Sequence, residues 1–178
     1  MIHKDLDMDE KDVRIINQYM KNPMVSQSEI AEKLALSQPS VFMRVQKLKK
    51  RGLLDQQMGI NYNKAKLFLS RVDFTCKNPN KVLEELKKCP FFVNGFIISG
   101  ENNVSVMLVH KDLKKIDDVV SNHIRSKDSV SNIRMNLIVS AAKDYILQMD
   151  LEHEINPRET CSEVGGCGSC SRIHIDDS

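Results

Sequence analysis

The chain has no hydrophobic run long enough to cross a bilayer and no apolar signal segment after Met1-Ile2-His3-Lys4-Asp5. We therefore expect a cytoplasmic protein that does not enter a membrane. It also lacks a nucleophile elbow and a glycine-rich phosphate-binding loop, which excludes the enzyme classes that depend on those motifs. Its formal net charge is only +2 over 178 residues, so any preference for a charged partner has to be local.

Cysteine is scarce in the body of the chain and concentrated at its end. The body contains only Cys76 and Cys89, each on an apolar stripe, and we expect both to be buried. The end carries Cys161, Cys167 and Cys170 in a glycine-rich run, with the spacing Cys-x5-Cys-x2-Cys. Glycine lets a backbone turn tightly round a metal centre, and clustered thiols in a reducing cytosol favour metal binding or redox sensing over disulfides.

Three thiolates on one short loop predict an iron–sulfur cluster, with [4Fe-4S] preferred and zinc as the alternative. Cysteines two residues apart recur in iron–sulfur proteins, whereas structural zinc sites usually split their ligands into two separated pairs. His174 is a candidate fourth ligand. A residue of another subunit, an exogenous small ligand and an open iron position are the alternatives, and disulfide pairing in an oxidising compartment stays open.

The charge is unevenly distributed along the chain. Residues 26–66 contain eight basic and three acidic side chains, whereas residues 150–178 contain seven acidic and two basic ones. A basic stretch inside a nearly neutral chain indicates a polyanion partner for that stretch alone. The acidic tail is expected to be solvated and not to pack on DNA.

The basic stretch has the pattern of a helix-turn-helix. Asp9 can cap a first helix, which Asn22-Pro23 ends, and Ser26 with Glu29 forms a capping box for a short second helix. A tight turn at Ala35-Leu36 follows. Apolar residues at helical spacing predict the inward faces. These are Val13, Ile16 and Met20, with Ile15 and Tyr19 beside them, in the first helix and Ile30, Ala31 and Leu34 in the second.

A third helix is predicted between the cap Ser37 and the stop signal Gly52, with Pro39 in its first turn. Val41, Val45 and Leu48 form its inward stripe. Basic residues on a helix are usually just a solvated face, but two capped short helices with cations on the second suit a recognition helix. The predicted DNA-binding residues are Ser37, Gln38, Ser40, Met43, Arg44, Lys47, Lys50 and Arg51.

The segment Asp9 to Leu54 resembles the Lrp/AsnC family of transcription regulators. The resemblance is carried by Ser28-Glu29-Ile30-Ala31 and by the runs Leu36 to Val41 and Arg44 to Leu54. It implies a linker strand followed by a β-α-β-β-α-β domain for ligand binding and oligomerisation. The resemblance covers about residues 7 to 140, so the cysteine tail lies outside it.

The second half of the chain predicts the same element order without the family. A strand is expected around Val72, Phe74 and Cys76, a helix from Pro79, two strands within 91–109, a helix from Asp112 and a closing strand. The helix is expected to turn Leu113, Ile116, Val120 and Ile124 inward, and the closing strand is indicated by the alternating residues Ile133, Met135, Leu137 and Val139.

The predicted fold class is therefore α+β, a helix-turn-helix domain followed by a ferredoxin-like (RAM/ACT-like) α/β sandwich. We expect the DNA-binding domain in residues 1–58, a linker in 59–66, the oligomerisation and effector domain in 67–145, and a metal-binding cysteine tail in 146–178.

The resemblance also implies partners. Family members form dimers that assemble further, often to octamers, and their paired helices read a pseudo-palindromic operator in double-stranded DNA. Many bind an amino acid near the loop joining the second and third strands, where the usual pattern is Gly-x-x-Asp. This chain has Gly100-Glu101-Asn102-Asn103, which lacks that carboxylate. Ser99, Gly100 and Asn103 are candidate effector residues or a polar hairpin turn, and we favour the turn.

Together these features predict a DNA-binding regulator whose activity an iron–sulfur cluster at the C-terminus modulates. The alternatives are a zinc-stabilised or small-molecule-responsive regulator, an oligomeric adaptor, and an enzyme similar to the siroheme decarboxylases, which share the two domains. An enzyme has no reason to keep its recognition helix basic. The helix here carries Arg44, Lys47, Lys49, Lys50 and Arg51, which favours a regulator over an enzyme.

Overall fold

The computed structural model describes residues 2–149 and 151. The chain divides into two compact units, Met1–Gln57 and Met58–Ser178. The predicted metal ligands Cys161, Cys167, Cys170 and His174 lie outside the described residues.

The first unit is built from four helices, and the caps of the last three were predicted from sequence. Asp9 with Asp12 and Ser26 with Glu29 form capping boxes, and the Ser37 side chain accepts from the Ser40 backbone N–H. The helices are α1 (Ile2–Asp5), α2 (Glu10–Lys21), α3 (Gln27–Leu34) and α4 (Gln38–Lys50).

Two left-handed residues set the ends of the helix-turn-helix. Ala35 has φ +51° and ends α3, while Gly52 has φ +65° and follows α4. The N–H groups of Gly52 and Leu53 donate to Lys49 O and Leu48 O, each at 2.9 Å, which is the Schellman pattern. The sequence prediction that Gly52 stops the helix is confirmed.

The core of this unit confirms the inward stripes of α3 and α4 but corrects that of α2. Ile15 is fully buried and Asp12 is also buried, whereas Met20 is 76% exposed. The face of α2 that packs into the core therefore includes the charged residue Asp12. The face predicted from apolar residues alone began at Val13 and is rotated away from the true buried face. The fully buried apolar residues are Ile15, Ile30, Val41, Val45 and Leu48.

The second unit confirms the predicted β-α-β-β-α-β order. The elements are β1 (Ile60–Asn61), α5 (Tyr62–Ala65), β2 (Phe68–Cys76), α6 (Pro79–Leu86), β3 (Phe92–Ile97), β4 (Val104–His110), α7 (Leu113–Val120) with a π-helical turn (Ser121–Arg125), β5 (Val130–Ile138) and β6 (Ile146–Leu147). The four longer strands form one antiparallel sheet in the order β3-β4-β2-β5, the ferredoxin-like arrangement.

The core of the second unit lies between one face of the sheet and α6 with α7. Phe74, Leu108 and Ile116 are fully buried there, and Cys76 and Cys89 are buried as predicted. Three residues that the apolar patterns of the last helix and strand included are not covered by the core, so that part of the prediction was wrong. Leu113, Leu137 and Val139 are 37%, 44% and 89% exposed. Leu137 lies at the end of the edge strand β5 and Val139 follows that strand, where few neighbours can cover them.

The borders of this unit carry short elements, of which the family resemblance implied only a linker strand. The stretch predicted as a linker, residues 59–66, contains β1 and α5, and β1 pairs with β6 through Ile60 and Leu147. Leu147, in the stretch predicted as tail, is fully buried with Tyr62, Leu69 and Val109. A two-residue strand is too short to show alternation, so its pairing is visible only in three dimensions.

Within the described part of the chain, none of the helices has the length and apolar character that crossing a membrane requires.

Candidate DNA-binding surface

The surface of α4 is set by the three residues that it buries. Val41, Val45 and Leu48 are fully buried, and at 100° per residue the opposite face is centred between Met43 and Lys50. The face carries Pro39, Met43, Gln46, Lys47 and Lys50, all of which are exposed.

The predicted DNA-binding residues fall into two groups on this helix. Ser37, Gln38, Met43, Lys47 and Lys50 are exposed, and Ser40 is half-buried. The two arginines are engaged with other parts of the same unit, Arg44 with α2 and Arg51 with the segment that follows α1.

Arg44 forms a two-carboxylate clamp with the start of α2. Its Nη1 donates to Asp9 Oδ2 and to Asp12 Oδ1, each at 2.7 Å. The side chain of Asp12 is 5% exposed and that of Arg44 is 26% exposed. A nearly buried carboxylate needs a charged partner to offset its lost hydration, and Arg44 supplies it.

The same two carboxylates form the capping box of α2. Each of their four oxygens therefore accepts a hydrogen bond. Asp9 Oδ1 accepts from the Asp12 backbone N–H at 2.9 Å, and Asp12 Oδ2 accepts from the Asp9 backbone N–H at 3.2 Å. The other two oxygens accept from Arg44. One arginine of α4 is thereby tied to the capping box that starts α2.

These hydrogen bonds shift two pKa values. The Asp12 backbone N–H, and then the guanidinium of Arg44, hold the pKa of Asp9 below its ordinary 3.8. The carboxylates of Asp12 and Asp9 raise the pKa of Arg44. Both shifts favour the charged forms that the clamp requires.

Acid is expected to destabilise the first unit in part through Asp9. Because its pKa is lower in the folded state, the unfolded state takes up the proton first, so the stabilisation is present above pH 3.8 and lost as the pH falls through the folded pKa. We expect a loss of at most about 1 kcal/mol from this group, since Asp9 is half exposed. Thermal unfolding followed by far-UV circular dichroism at stepped pH measures it.

Asp9→Asn is the control for this prediction, because asparagine also caps helices but does not titrate. Its unfolding midpoint is expected to vary less with pH in the acid range. An identical acid profile for the variant and the natural chain would contradict the assignment. Glu29, whose pKa the Ser26 backbone N–H lowers, and Glu85, whose pKa Lys127 lowers, contribute to the slope in both proteins.

Arg51 holds the chain segment before α2. Its Nη2 donates to Leu6 O at 2.6 Å and its Nη1 donates to Asp7 O at 3.0 Å. The Asp7 carboxylate lies 3.8 Å from the same guanidinium. Asp7 has φ +47°, an uncommon conformation for a residue with a side chain, and Arg51 binds its carbonyl.

The three lysines of α4 differ from the arginines. Lys47, Lys49 and Lys50 are exposed, and within residues 2–149 and 151 they form no ion pair. Gln46 was not predicted, although it lies between Met43 and Lys50 on the outward face. Counting three and four positions from those residues would have found it.

An open groove of about 680 Å³ lies between α4 and the N-terminal end of α2. Ser40, Met43 and Lys47 line its α4 side, and carboxylates line the other side. The acidic residues are Asp7, Asp9 and Asp12. Phosphate groups are repelled from that side, so the favourable approach to α4 is from the face with Lys47 and Lys50.

The candidate effector residues belong to the turn between β3 and β4. Asn103 accepts from the Cys76 backbone N–H at 2.9 Å and donates to Cys76 O at 2.8 Å, so its amide joins the turn to the end of β2. Asn102 is buried and accepts from Thr75 and Asn132. Ser99 and Gly100 are exposed, and Gly100 has φ +144°. These contacts agree with a hairpin turn.

In the part of the chain that the structure describes, no three His, Cys, Asp or Glu side chains lie close enough together to hold a metal ion. The predicted cysteine site, which lies outside these residues, stays a prediction.

The comparisons with known proteins cover both units. Residues 8–55 match a family model described as winged helix-turn-helix DNA-binding. The chain is 29% identical over 141 residues to the HTH-type transcriptional regulator LrpA of Pyrococcus horikoshii, with 76% of this chain and 99% of LrpA covered.

Solved structures share the fold of this chain. AsnC of E. coli superposes with a TM-score of 0.65 at 15% identity, covering 78% of this chain and 96% of AsnC. A Neisseria meningitidis transcriptional regulator in complex with L-Met gives 0.67 at 18% identity, covering 83% and 99%. The curated relative is named a transcription regulator, in agreement with the prediction of a regulator and not an enzyme. Residues 8–55 are thus similar to helix-turn-helix DNA-binding proteins, and over 76% of its length the chain is similar to a transcriptional regulator of the Lrp type, with the fold of AsnC.

Proposed function

We propose that the chain acts as a cytosolic homodimer, with further assembly to larger oligomers, that binds double-stranded DNA by placing α4 in the major groove. The observation that carries this proposal is the outward face of α4, where exposed lysines surround exposed residues able to contact bases. Phosphate contacts orient such a helix, while contacts to base edges select the sequence.

The face of α4 suggests how these tasks are divided along the helix. Gln38, Ser40 and Met43 lie in its first two turns, the part of a recognition helix that contacts base edges. Gln46 follows on the same face, and a glutamine amide can bind adenine with two hydrogen bonds. Lys47 and Lys50 lie toward the C-terminal end, suited to phosphates.

The resemblance to Lrp/AsnC regulators supports a symmetric operator. Two copies of α4 related by a two-fold axis contact two half-sites, which are separated by about one helical turn of DNA, roughly 34–36 Å, or a multiple of it. Sedimentation or light scattering with a DNA duplex gives the number of chains bound. A single chain per duplex would contradict the dimer.

Titration with bulk duplex DNA at several salt concentrations tests the central proposal without knowledge of the operator. The logarithm of the binding constant should fall linearly with the logarithm of salt concentration, with a slope of about −0.9 per phosphate contacted. Binding that is absent at low salt, or independent of salt, would contradict it.

Replacement of both Lys47 and Lys50 by alanine is expected to reduce this slope by about 0.9 for each lost contact and to weaken binding at least tenfold at low salt. Both side chains are exposed on α4, so the unfolding temperature should change little. Fluorescence anisotropy with labelled duplex measures both quantities. Lys64→Ala, on α5, is the control because it removes an exposed lysine of the second unit. Equal slopes for the double variant and the natural chain would contradict the role of the lysines.

We propose further that Cys161, Cys167 and Cys170 hold an iron–sulfur cluster, of the [4Fe-4S] type, that modulates DNA binding. The support is the grouping of three thiols in a glycine-rich run at the end of the chain. A cluster would make DNA affinity depend on iron supply or redox state. Zinc held by the same thiols and His174 is the second candidate, and zinc sites with three cysteines and one histidine are known.

Purification without oxygen, followed by absorption spectroscopy with iron, sulfide and zinc analysis, separates these candidates. Broad visible absorbance with about four irons and four sulfides per chain supports the cluster. Colourless protein with one zinc per chain supports the zinc site. Colourless protein without metal would contradict both and favour a small-molecule effector.

A further inference from the structure

We infer that the cations of α4 have two separate roles in DNA binding. Arg44 and Arg51 are positioning residues that hold α4 on the N-terminal segment, and Lys47 and Lys50 are the cations that contact phosphates. The inference rests on the proposed DNA binding and changes the role of the two arginines that sequence patterning assigned to the DNA interface.

The first argument is the charge around Arg44. One guanidinium lies within 2.7 Å of two carboxylates, those of Asp9 and Asp12, so the clamp as a whole carries net negative charge. A DNA phosphate that drew Arg44 away from Asp12 would leave this buried carboxylate without its counter-ion. Arg44 therefore gains little by leaving the clamp.

The second argument is that Arg51 donates hydrogen bonds to backbone carbonyl oxygens. Its two terminal nitrogens donate to Leu6 O and Asp7 O, which follow α1. Through these bonds the end of α4 fixes the chain just before the clamp at Asp9. The two arginines hold one continuous N-terminal segment.

The third argument is the difference between arginine and lysine. The planar guanidinium presents several N–H groups in fixed directions and can join two acceptors, as both arginines do here. The lysine ammonium is a point charge on a flexible stem, suited to phosphates whose position varies. The lysines of α4 are exposed, in keeping with this division.

The consequence for DNA binding is geometric. Arg44 joins α4 to the start of α2 across 32 residues of sequence, and so sets how α4 is rotated and tilted on the domain. Loss of the clamp is expected to lower the affinity of folded protein, because the lysines and base-contacting residues are displaced together. The number of phosphate contacts need not change.

Asp12→Asn distinguishes this role from direct DNA contact by the sign of its effect. If Arg44 positions α4, the variant should bind bulk duplex DNA about tenfold more weakly with an unchanged salt slope. If Arg44 contacts phosphate, neutralising its partner frees the guanidinium, and affinity should rise. Affinities are compared at a temperature where circular dichroism shows both proteins folded, so unfolding does not contribute.

Two milder variants keep the test valid if Asp12→Asn does not fold. Asp9→Asn keeps the cap but removes one negative charge from the clamp. Arg44→Lys keeps the positive charge, but its side chain is shorter and lacks the fixed N–H directions of Nη1. Weaker binding at an unchanged slope is expected for both. Tighter binding by Asp9→Asn, or full affinity in Arg44→Lys, would overturn the inference. A natural chain that does not bind duplex DNA would overturn the proposed function, and the inference with it.

Discussion

Arg44→Glu is expected to unfold the helix-turn-helix unit while the sheet unit stays folded. The substitution removes the counter-ion of Asp12, whose side chain is 5% exposed, and brings a third carboxylate to Asp9 and Asp12. Removing one partner of a buried ion pair costs about 3–5 kcal/mol, a large part of the stability of a small domain. Differential scanning calorimetry should show the transition of the first unit shifted to lower temperature or lost, and DNA binding should be lost with it.

The matched control is Lys50→Glu, which makes the same change of charge on the same helix. Lys50 is exposed, so this variant should unfold at nearly the natural temperature and yet lose DNA affinity. A comparison of the two variants separates loss of binding through unfolding from loss through charge. Arg44→Glu protein with an unchanged transition would show that the clamp does not stabilise the unit.

Cys167→Ala is expected to abolish metal loading without unfolding either described unit. Cys167 is the central cysteine of the triplet, and two remaining thiolates are too few to hold a [4Fe-4S] cluster or a closed zinc site. Iron, sulfide and zinc analysis of protein purified without oxygen measures the loss. The DNA affinity of the variant should match that of natural protein stripped of metal.

Ser169→Ala is the control for this experiment, since it changes the same loop but keeps all three thiols. It should retain full metal content. Full metal content in Cys167→Ala would remove Cys167 from the ligand set. Loss of metal without any change in DNA affinity would instead separate the metal from regulation.

The sequence by itself determined the local features of this protein, because each depends on residues only a few positions apart. The caps at Asp9, Ser26 and Ser37, the stop at Gly52 and the buried stripe of α4 need no distant partner to be predicted. The order of strands and helices in the second unit was equally visible, since its longer strands alternate clearly and each helix begins at a capping residue.

Tertiary structure alone decided which charged residues are available. In sequence, Arg44 and Lys47 are equivalent cations on one helix, yet Arg44 lies against two carboxylates of α2 and Lys47 is exposed. The rotation of α2 that buries Asp12, and the pairing of β1 with β6, likewise depend on contacts between distant parts of the chain. A pattern within one helix cannot reveal an ion pair to another helix, because it carries no information on which faces meet.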